Sequence, residues 1–200
     1  MDIEKTIKNV KLRGMDAIYF KTAQEAADYL TGEIKNTTVG IGGSRTIDAL
    51  NIYDELCKTN DVAWHWKSGF NNMDTFAKAA DAEVYLSSAN AISETGEIVN
   101  IDGRCNRIAA LSFAEGKRIF IVASTKKICP DLNSAIERAQ QIAAPLNVVK
   151  LPGDRPCNTT GKCFDCRSEA RGCCVMQIVM FKPMNAVKYE LILVDEDMGL

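Results

Sequence analysis

The sequence has little charge of one sign, little histidine and no long apolar run. Its 24 basic and 26 acidic residues leave a formal net charge of -2 at pH 7, so it lacks the cationic excess that attracts nucleic acids or anionic membranes. No apolar run approaches the roughly 20 residues that a membrane helix needs, and the charged residues 1–5 do not resemble a secretory signal. We therefore expect a cytoplasmic protein that binds neither nucleic acid nor membrane.

Helix patterns and strand patterns alternate along most of the chain. The 200 residues are 46% hydrophobic, which is enough for one sizeable core. An amphipathic helix is predicted over residues 2–13 and another over 132–143, which we expect to stop at Pro145 because proline breaks helices. Such alternation is typical of α/β proteins. We predict a single domain over residues 1–200 with a three-layer α/β/α fold and a mainly parallel sheet.

Short β-branched or apolar runs predict the strands. They cover residues 17–20, 37–41, 62–66, 82–87, 117–123, 175–181 and 189–194. Residues 91–103 alternate polar and apolar side chains around Thr95 and Gly96, which predicts a β-hairpin with one solvent-exposed face and a second hairpin-like turn at Gly103.

A glycine-rich loop follows the strand at residues 37–41 and precedes a predicted helix. Glycines let the backbone turn tightly, and free N–H groups at a helix start bind phosphate or carboxylate. The loop matches neither the G-x-G-x-x-G fingerprint nor a Walker loop, so no nicotinamide cofactor is evident. The alternative is a tight turn with Ser44 as the N-cap. The predicted anion-binding residues are Gly42, Gly43, Ser44, Arg45 and Thr46.

A second polar group lies on predicted turns rather than on helices. Glu94 and Asp102, the amides of Asn100 and Asn106, and the Arg107 guanidinium fall within fifteen residues and can line a pocket. Glu94 is the candidate base or nucleophile. The alternative is a solvated hairpin with favourable turn residues. The ligand-binding candidates here are Thr95, Asn100, Asp102, Asn106 and Arg107.

Five of the eight cysteines crowd into residues 157–174. Such local clustering argues against a disulfide framework. Cys163 and Cys166 form a Cys-x-x-Cys pair, whose short loop lets two thiolates converge on one metal, and flanking cysteines complete four sulfur ligands. Zinc and a [4Fe–4S] cluster both accept such ligation; the alternative is a group of thiols without metal. The candidate ligands are Cys157, Cys163, Cys166, Cys173 and Cys174, with one of the last two left over. The cysteine-rich segment, residues 152–174, is predicted to be a loop insertion before the last two strands.

Residues 38–46, 89–96, 100–107 and 192–200 resemble the corresponding motifs of the LUD (lactate-utilization) domain family. The resemblance covers nearly the whole chain. It implies the α/β/α fold of the group that contains NagB, ribose-phosphate isomerase and the CoA transferases. It also implies a role in the oxidation of L-lactate or a related small acid, with iron–sulfur proteins as redox partners. Plain lactate-utilization subunits need no cysteine segment, so this chain looks like a separate subfamily.

Three functions are compatible with these patterns. The leading hypothesis is a protein that binds a small anionic metabolite at the glycine loop, takes part in carboxylic-acid redox metabolism and carries a cysteine-ligated metal. The second is an acyl-CoA transferase, because residues 93–96 are similar to the Ser-Glu-Asn-Gly motif of those enzymes, with Glu94 as the nucleophile. The third is a non-catalytic metabolite-binding protein with a structural metal. A homo-oligomer is compatible with all three.

Overall fold

A six-stranded parallel sheet forms the centre of the computed structural model, which describes residues 1–68, 72–149 and 151–199. Over these residues the strands are β1 (Asp16–Phe20), β2 (Thr38–Ile41), β3 (Asp61–Trp64), β4 (Val84–Ser88), β5 (Ala91–Ser93), β6 (Ile98–Asp102), β7 (Arg118–Ser124), β8 (Ile128–Cys129), β9 (Val175–Val179) and β10 (Lys188–Val194). The main sheet has the order β1-β10-β7-β4-β2-β3, and all of its pairings are parallel. Helices cover both faces, so its strands are nearly continuous apolar runs.

The helices pack on both faces of this sheet. Over the described residues they are α1 (Ile3–Leu12), α2 (Ala23–Glu33), α3 (Arg45–Ala49), α4 (Tyr53–Cys57), α5 (Met73–Asp81), α6 (Asn106–Ser112), α7 (Leu132–Arg138), α8 (Ala144–Val148) and α9 (Pro156–Thr160). Ile119 and Ile121 of β7 join the core beneath α1, α5 and α6, whereas Phe120 and Val122 join the core beneath α2, α3 and α4. Because successive side chains of a strand point to opposite faces, one strand serves both cores. The predicted three-layer α/β/α fold is confirmed.

A smaller sheet, of order β8-β5-β6-β9, contains the predicted hairpin. β5 and β6 are antiparallel, as expected. The expectation of a solvent-exposed face was wrong, because Ile92 and Ile98 join the core of the main sheet and Ala91 and Val99 are covered by the helix that begins at Leu132. The alternating sequence pattern therefore indicates a hairpin with one exposed face, but α7 covers that face and buries it.

The helix predicted over residues 132–143 does not stop at Pro145. After α7 the chain widens into a π-helical turn over Ala139–Ala143 and continues as α8. Pro145 sits in the first turn of α8, where the missing N–H is tolerated. The wider turn thus lets the helix pass a residue that usually ends one.

Other boundaries also differ from the prediction. The turn at Gly103 leads into α6 rather than into a second hairpin. The third strand ends at Trp64, and residues 65–68 form a turn in which Ser68 bonds back to Trp64. The last two strands lie in different sheets, with β9 beside β6 and β10 between β1 and β7. Residues 152–174 lie between α8 and β9, and α9 is the regular element described there. Within the described parts of the chain, no helix is long and apolar enough to cross a membrane.

Two glycine substitutions test the packing of the main sheet. A Cβ at Gly40 in β2 would overlap the carbonyl group of Ala79 in α5, whereas a Cβ at Gly32 in α2 would meet no atom within 4 Å. We expect Gly40→Ala to lower the free energy of unfolding by more than about 2 kcal/mol, and Gly32→Ala to raise it by roughly 0.5–1 kcal/mol. Urea denaturation measures both changes; equal stability of the two variants would contradict this packing.

Candidate functional site

A polar pocket lies where β2, β4 and β7 end. The segments that follow the carboxyl ends of parallel strands meet at one edge of the sheet, which is where ligands bind in open α/β folds. The pocket is lined by Gly43, Ser44, Arg45, Thr46, Trp66, Ser88, Ala89, Asn90, Asp102, Arg107, Lys127 and Asn147. The glycine loop and the Asp102 and Arg107 side chains, which were predicted from separate motifs, meet in it.

Arg107 and Asp102 form a buried ion pair at one side of the pocket. Their Nε and Oδ1 atoms are 3.1 Å apart, and Arg107 is 7% exposed. The Arg107 guanidinium also donates to the Ile101 carbonyl oxygen over 2.9 Å. A carboxylate beside the arginine and several backbone acceptors fix its position. The pair therefore adds no net charge to the pocket.

Gly42 and Asn106 support this ion pair from outside the pocket lining. A Cβ at Gly42 would lie 2.6 Å from Arg107 Cγ and 3.0 Å from the Tyr85 hydroxyl. Gly42 therefore provides space for Arg107. Asn106 hydrogen-bonds the Tyr85 hydroxyl, whose pKa is raised mainly by burial. Both residues were predicted to bind ligand, and the structure places them behind Arg107.

Ser44 is the N-cap of α3, as the alternative interpretation of the loop proposed. Its hydroxyl accepts from the Ile47 N–H at 3.1 Å and donates to the Ser88 hydroxyl at 2.9 Å. Because α3 spans five residues, its dipole is weak. Arg45, which is half-buried and lines the pocket, adds a full positive charge at the same place.

Lys127 lies at the base of the pocket and is 3% exposed. Its Nζ donates to the Ala89 carbonyl oxygen and lies 3.2 Å from Thr46 Oγ1. The backbone at Gly199, with φ of +71°, packs so closely on Thr46 and Lys127 that a side chain there would overlap them. Burial, followed by the charges of Arg138 and Arg107, lowers the pKa of Lys127 to about 7.

Lys127 was not predicted from the sequence. A charged residue three positions after a buried strand usually lies in solvent. The available signal was positional: residues 124–127, Ser-Thr-Lys-Lys, follow the carboxyl end of β7, which is central in the sheet. Trp66, Ser88, Asn90 and Asn147 line the pocket for the same topological reason and were also missed.

Glu94 is not among the residues that line the pocket. Its carboxylate accepts from the Asp2 N–H at 2.9 Å and from Lys5 Nζ at 2.9 Å, both at the start of α1. The Asp2 N–H and then the Lys5 ammonium lower the pKa of Glu94 against the opposing effect of desolvation. The carboxylate therefore connects α1 to the smaller sheet.

Thr95 and Asn100 also lie outside the pocket lining. The Thr95 hydroxyl hydrogen-bonds Ser93 and Glu97 within the β5–β6 turn. Asn100 is fully buried and donates to Gln177 Oε1 over 3.3 Å. These two side chains stabilise the smaller sheet.

Four of the five predicted metal ligands line one small cavity. Cys157, Cys163, Cys166 and Cys173 surround it, together with Phe164 and several small apolar residues. Cys174 lines a neighbouring cavity instead. Across the described ranges, no three His, Cys, Asp or Glu side chains converge closely enough to hold a metal ion. The thiols therefore share a cavity without ligating geometry.

Two arginines organise the loop that carries these cysteines. Arg155, 7% exposed, donates to the carbonyl oxygens of Pro152 at 2.7 Å and Leu151 at 3.1 Å, among others. Arg171 donates to the carbonyl oxygens of Cys166 at 2.7 Å and Cys173 at 2.9 Å. Guanidinium groups that bind several carbonyls at once fix an irregular backbone. Arg155 was not identified from the sequence.

Burial raises the pKa of the Cys173 thiol. The neighbouring Cys163 and Cys166 thiols act in the same direction, and the Arg171 guanidinium opposes them.

The parallel sheet, its helices on both faces and the polar pocket at the strand ends define an α/β fold with a polar pocket at one sheet edge. A family model described as the LUD domain matches residues 3–194 of the chain, which therefore belongs to that family. The chain is also similar to a solved structure, a DUF162 family protein from Deinococcus radiodurans. The two chains are 13% identical with a TM-score of 0.56, over 96% of this chain and 95% of that one. No curated protein matches the chain.

The buried lysine makes the stability of the protein depend on pH. The folded state lowers the pKa of Lys127 to about 7 from its ordinary 10.5. Between these values the unfolded chain holds more protons, so this group makes the free energy of unfolding rise with pH. We expect Lys127→Met to exceed the wild type in stability by on the order of 2–4 kcal/mol at or below pH 7, and the gap to close toward pH 10.5.

Guanidinium denaturation at a series of pH values measures this difference. Lys126→Met is the control, because the Lys126 side chain is 63% exposed and should change stability little. If the stability of the Lys127→Met variant parallels that of the wild type at every pH, the pKa of Lys127 is not strongly lowered.

Proposed function

We propose that this protein binds a small carboxylic-acid anion in the pocket and takes part in lactate-type carboxylic-acid redox metabolism, with a cysteine-ligated metal centre as its second site. The observation that carries the proposal is the charge balance of the pocket. Asp102 is the acidic side chain that lines it, and Arg107 neutralises Asp102. Arg45 is then left as a permanent positive charge for a ligand, and Lys127, whose pKa is lowered to about 7, adds a second positive charge when it is protonated.

The uncharged groups of the pocket suit an oxygen-rich ligand. The hydroxyls of Ser44, Thr46 and Ser88 and the amides of Asn90 and Asn147 lie in the lining. Hydroxyls and amides both donate and accept, so they match a carboxylate that carries a neighbouring hydroxyl or oxo group. Trp66 supplies an apolar wall. Membership of the LUD family supports L-lactate or a related small acid as the ligand.

The cysteine cavity supports a metal centre with sulfur ligands. It collects Cys157, Cys163, Cys166 and Cys173 and leaves Cys174 outside. Four thiolates are the usual donor set for zinc and for a [4Fe–4S] cluster. A cluster would supply electron transfer to iron–sulfur partner proteins, whereas a closed zinc site would hold the loop in place.

α8 links the two sites. Asn147 lines the anion pocket, while Ala144, Pro145 and Val148 of the same helix line the cysteine cavity. A change at the cysteines can therefore reach the pocket through one short helix. Because α8 lines both cavities, we favour a metal that acts together with the bound ligand over a metal that only holds the loop in place.

Glu94 gives little support to the acyl-CoA transferase alternative. A glutamate nucleophile must face the bound thioester, whereas the Glu94 carboxylate binds Asp2 and Lys5. The non-catalytic alternative, a metabolite-binding protein with a structural metal, is separated from our proposal by the identity of the metal.

Arg45→Gln tests the anion pocket. We expect wild-type protein to bind L-lactate or its 2-oxo counterpart, pyruvate, in titration calorimetry, and the variant to bind at least about tenfold more weakly, because a charge-assisted hydrogen bond is worth roughly 1.5–3 kcal/mol. Lys58→Gln is the matched control, since Lys58 pairs with Glu55 on the surface and does not line the pocket. Equal losses in both variants, or no binding by the wild type, would contradict the proposed pocket.

The double variant Cys163→Ser with Cys166→Ser tests the metal centre. We expect protein purified anaerobically to contain one metal centre per chain, seen by elemental analysis and by its absorption spectrum, and the double variant to contain none, because serine does not replace thiolate ligands. Cys57→Ser and Cys174→Ser are controls, since neither residue lines the four-cysteine cavity. Metal retained in the double variant, or absent from the wild type, would refute the site.

A further inference from the structure

Lys127 differs from an ordinary anion-binding lysine in its surroundings. Its Nζ contacts Thr46 Oγ1 and the Ala89 carbonyl oxygen, each at 3.2 Å. Within residues 1–68, 72–149 and 151–199, no carboxylate forms a salt bridge with it. Its neighbour Lys126 is exposed and lies 2.9 Å from Asp197 Oδ2. Two adjacent lysines therefore occupy opposite environments.

A buried amine beside other cations is a nucleophile. Desolvation and nearby positive charge both disfavour its ammonium form. Arg138 and Arg107 supply the positive charge, and the Asp197 carboxylate opposes them. Near pH 7 a pKa of about 7 leaves about half of the amine neutral, against less than about 0.1% for an ordinary lysine. Lysines in such sites attack carbonyl carbons.

We propose that Lys127 forms an imine with a small 2-oxo acid whose carboxylate is held by Arg45. This inference rests on the proposed function, because it requires a carboxylate ligand in the same pocket. It narrows the ligand class from carboxylic acids in general to those with a carbonyl carbon next to the carboxylate.

The reaction balances without an oxidant. The lone pair of Lys127 Nζ attacks the carbonyl carbon and forms the C–N bond. The oxygen takes the first of the two amine protons and becomes a hydroxyl. The second amine proton then passes to this hydroxyl, the C–O bond breaks as water leaves, and the C=N bond forms. The Thr46 hydroxyl, 3.2 Å from Nζ, can accept and return a proton in this exchange. The net change is one water released per imine formed.

Reductive trapping tests this chemistry. Full-length protein is incubated near pH 7 with pyruvate and, separately, with glyoxylate, then treated with sodium cyanoborohydride and digested for peptide mass spectrometry. Because the neutral fraction of Lys127 exceeds that of an ordinary lysine by roughly 10³, we expect its labelling to exceed that of Lys126 by at least about tenfold. Excess L-lactate, which has no carbonyl carbon beside its carboxylate, should compete and suppress the label.

Two variants complete the experiment. Lys127→Arg has no primary amine, so it should lose the adduct. Lys126→Arg should label as the wild type does. If L-lactate binds but Lys127 is labelled no faster than Lys126, the imine is refuted and the anion pocket stands. If neither L-lactate nor a 2-oxo acid binds, the proposed function and this inference both fail.

Discussion

The position of β10 in the main sheet determines how the rest of the chain is arranged. This strand lies between β1 and β7 and is parallel to both, so β1 is attached to the sheet through the last strand of the chain. The chain must therefore leave the sheet after β7 and later return to a position between β7 and β1. The segment between β7 and β10 contains β8 and β9, which are the two edge strands of the smaller sheet, together with α7, α8 and the cysteine-rich loop. The cysteine-rich loop therefore follows α8 directly in the chain, and α8 lines both the pocket and the cysteine cavity.

The main elements could be predicted from the sequence because their signals are local. The β-branched and apolar runs gave the parallel strands, and the start of α2 is likewise set locally, by a capping box between Thr22 and Glu25. The continuation of the helix through Pro145 could not be predicted, since it depends on a π-helical turn that the surrounding packing supports. The burial of the outer hairpin face, which carries Ala91 and Val99, likewise depends on α7, which lies some forty residues away in the chain.

The candidate site was predictable in part for a similar reason. Arg45, Asp102 and Arg107 belong to the polar motifs found in the sequence, lie at the ends of α3, β6 and α6, and line the pocket. Glu94 belongs to the same polar stretch as Asp102, yet it binds the start of α1. Sequence spacing does not distinguish the two carboxylates, because the β5–β6 hairpin carries them to different ends of the smaller sheet. Lys127 breaks the rule that lysines are exposed, and such departures are expected at functional sites.

The π-helical turn before α8 bears on the relation between the two candidate sites. A π-helical turn adds one residue to a helix, which rotates everything after it by about 100° relative to an uninterrupted helix. With this rotation α8 directs Asn147 to the polar pocket and Ala144 and Val148 to the cysteine cavity. A regular helix would place a different set of side chains on each side. The turn over Ala139–Ala143 is therefore the local feature that allows one short helix to form part of the wall of both sites.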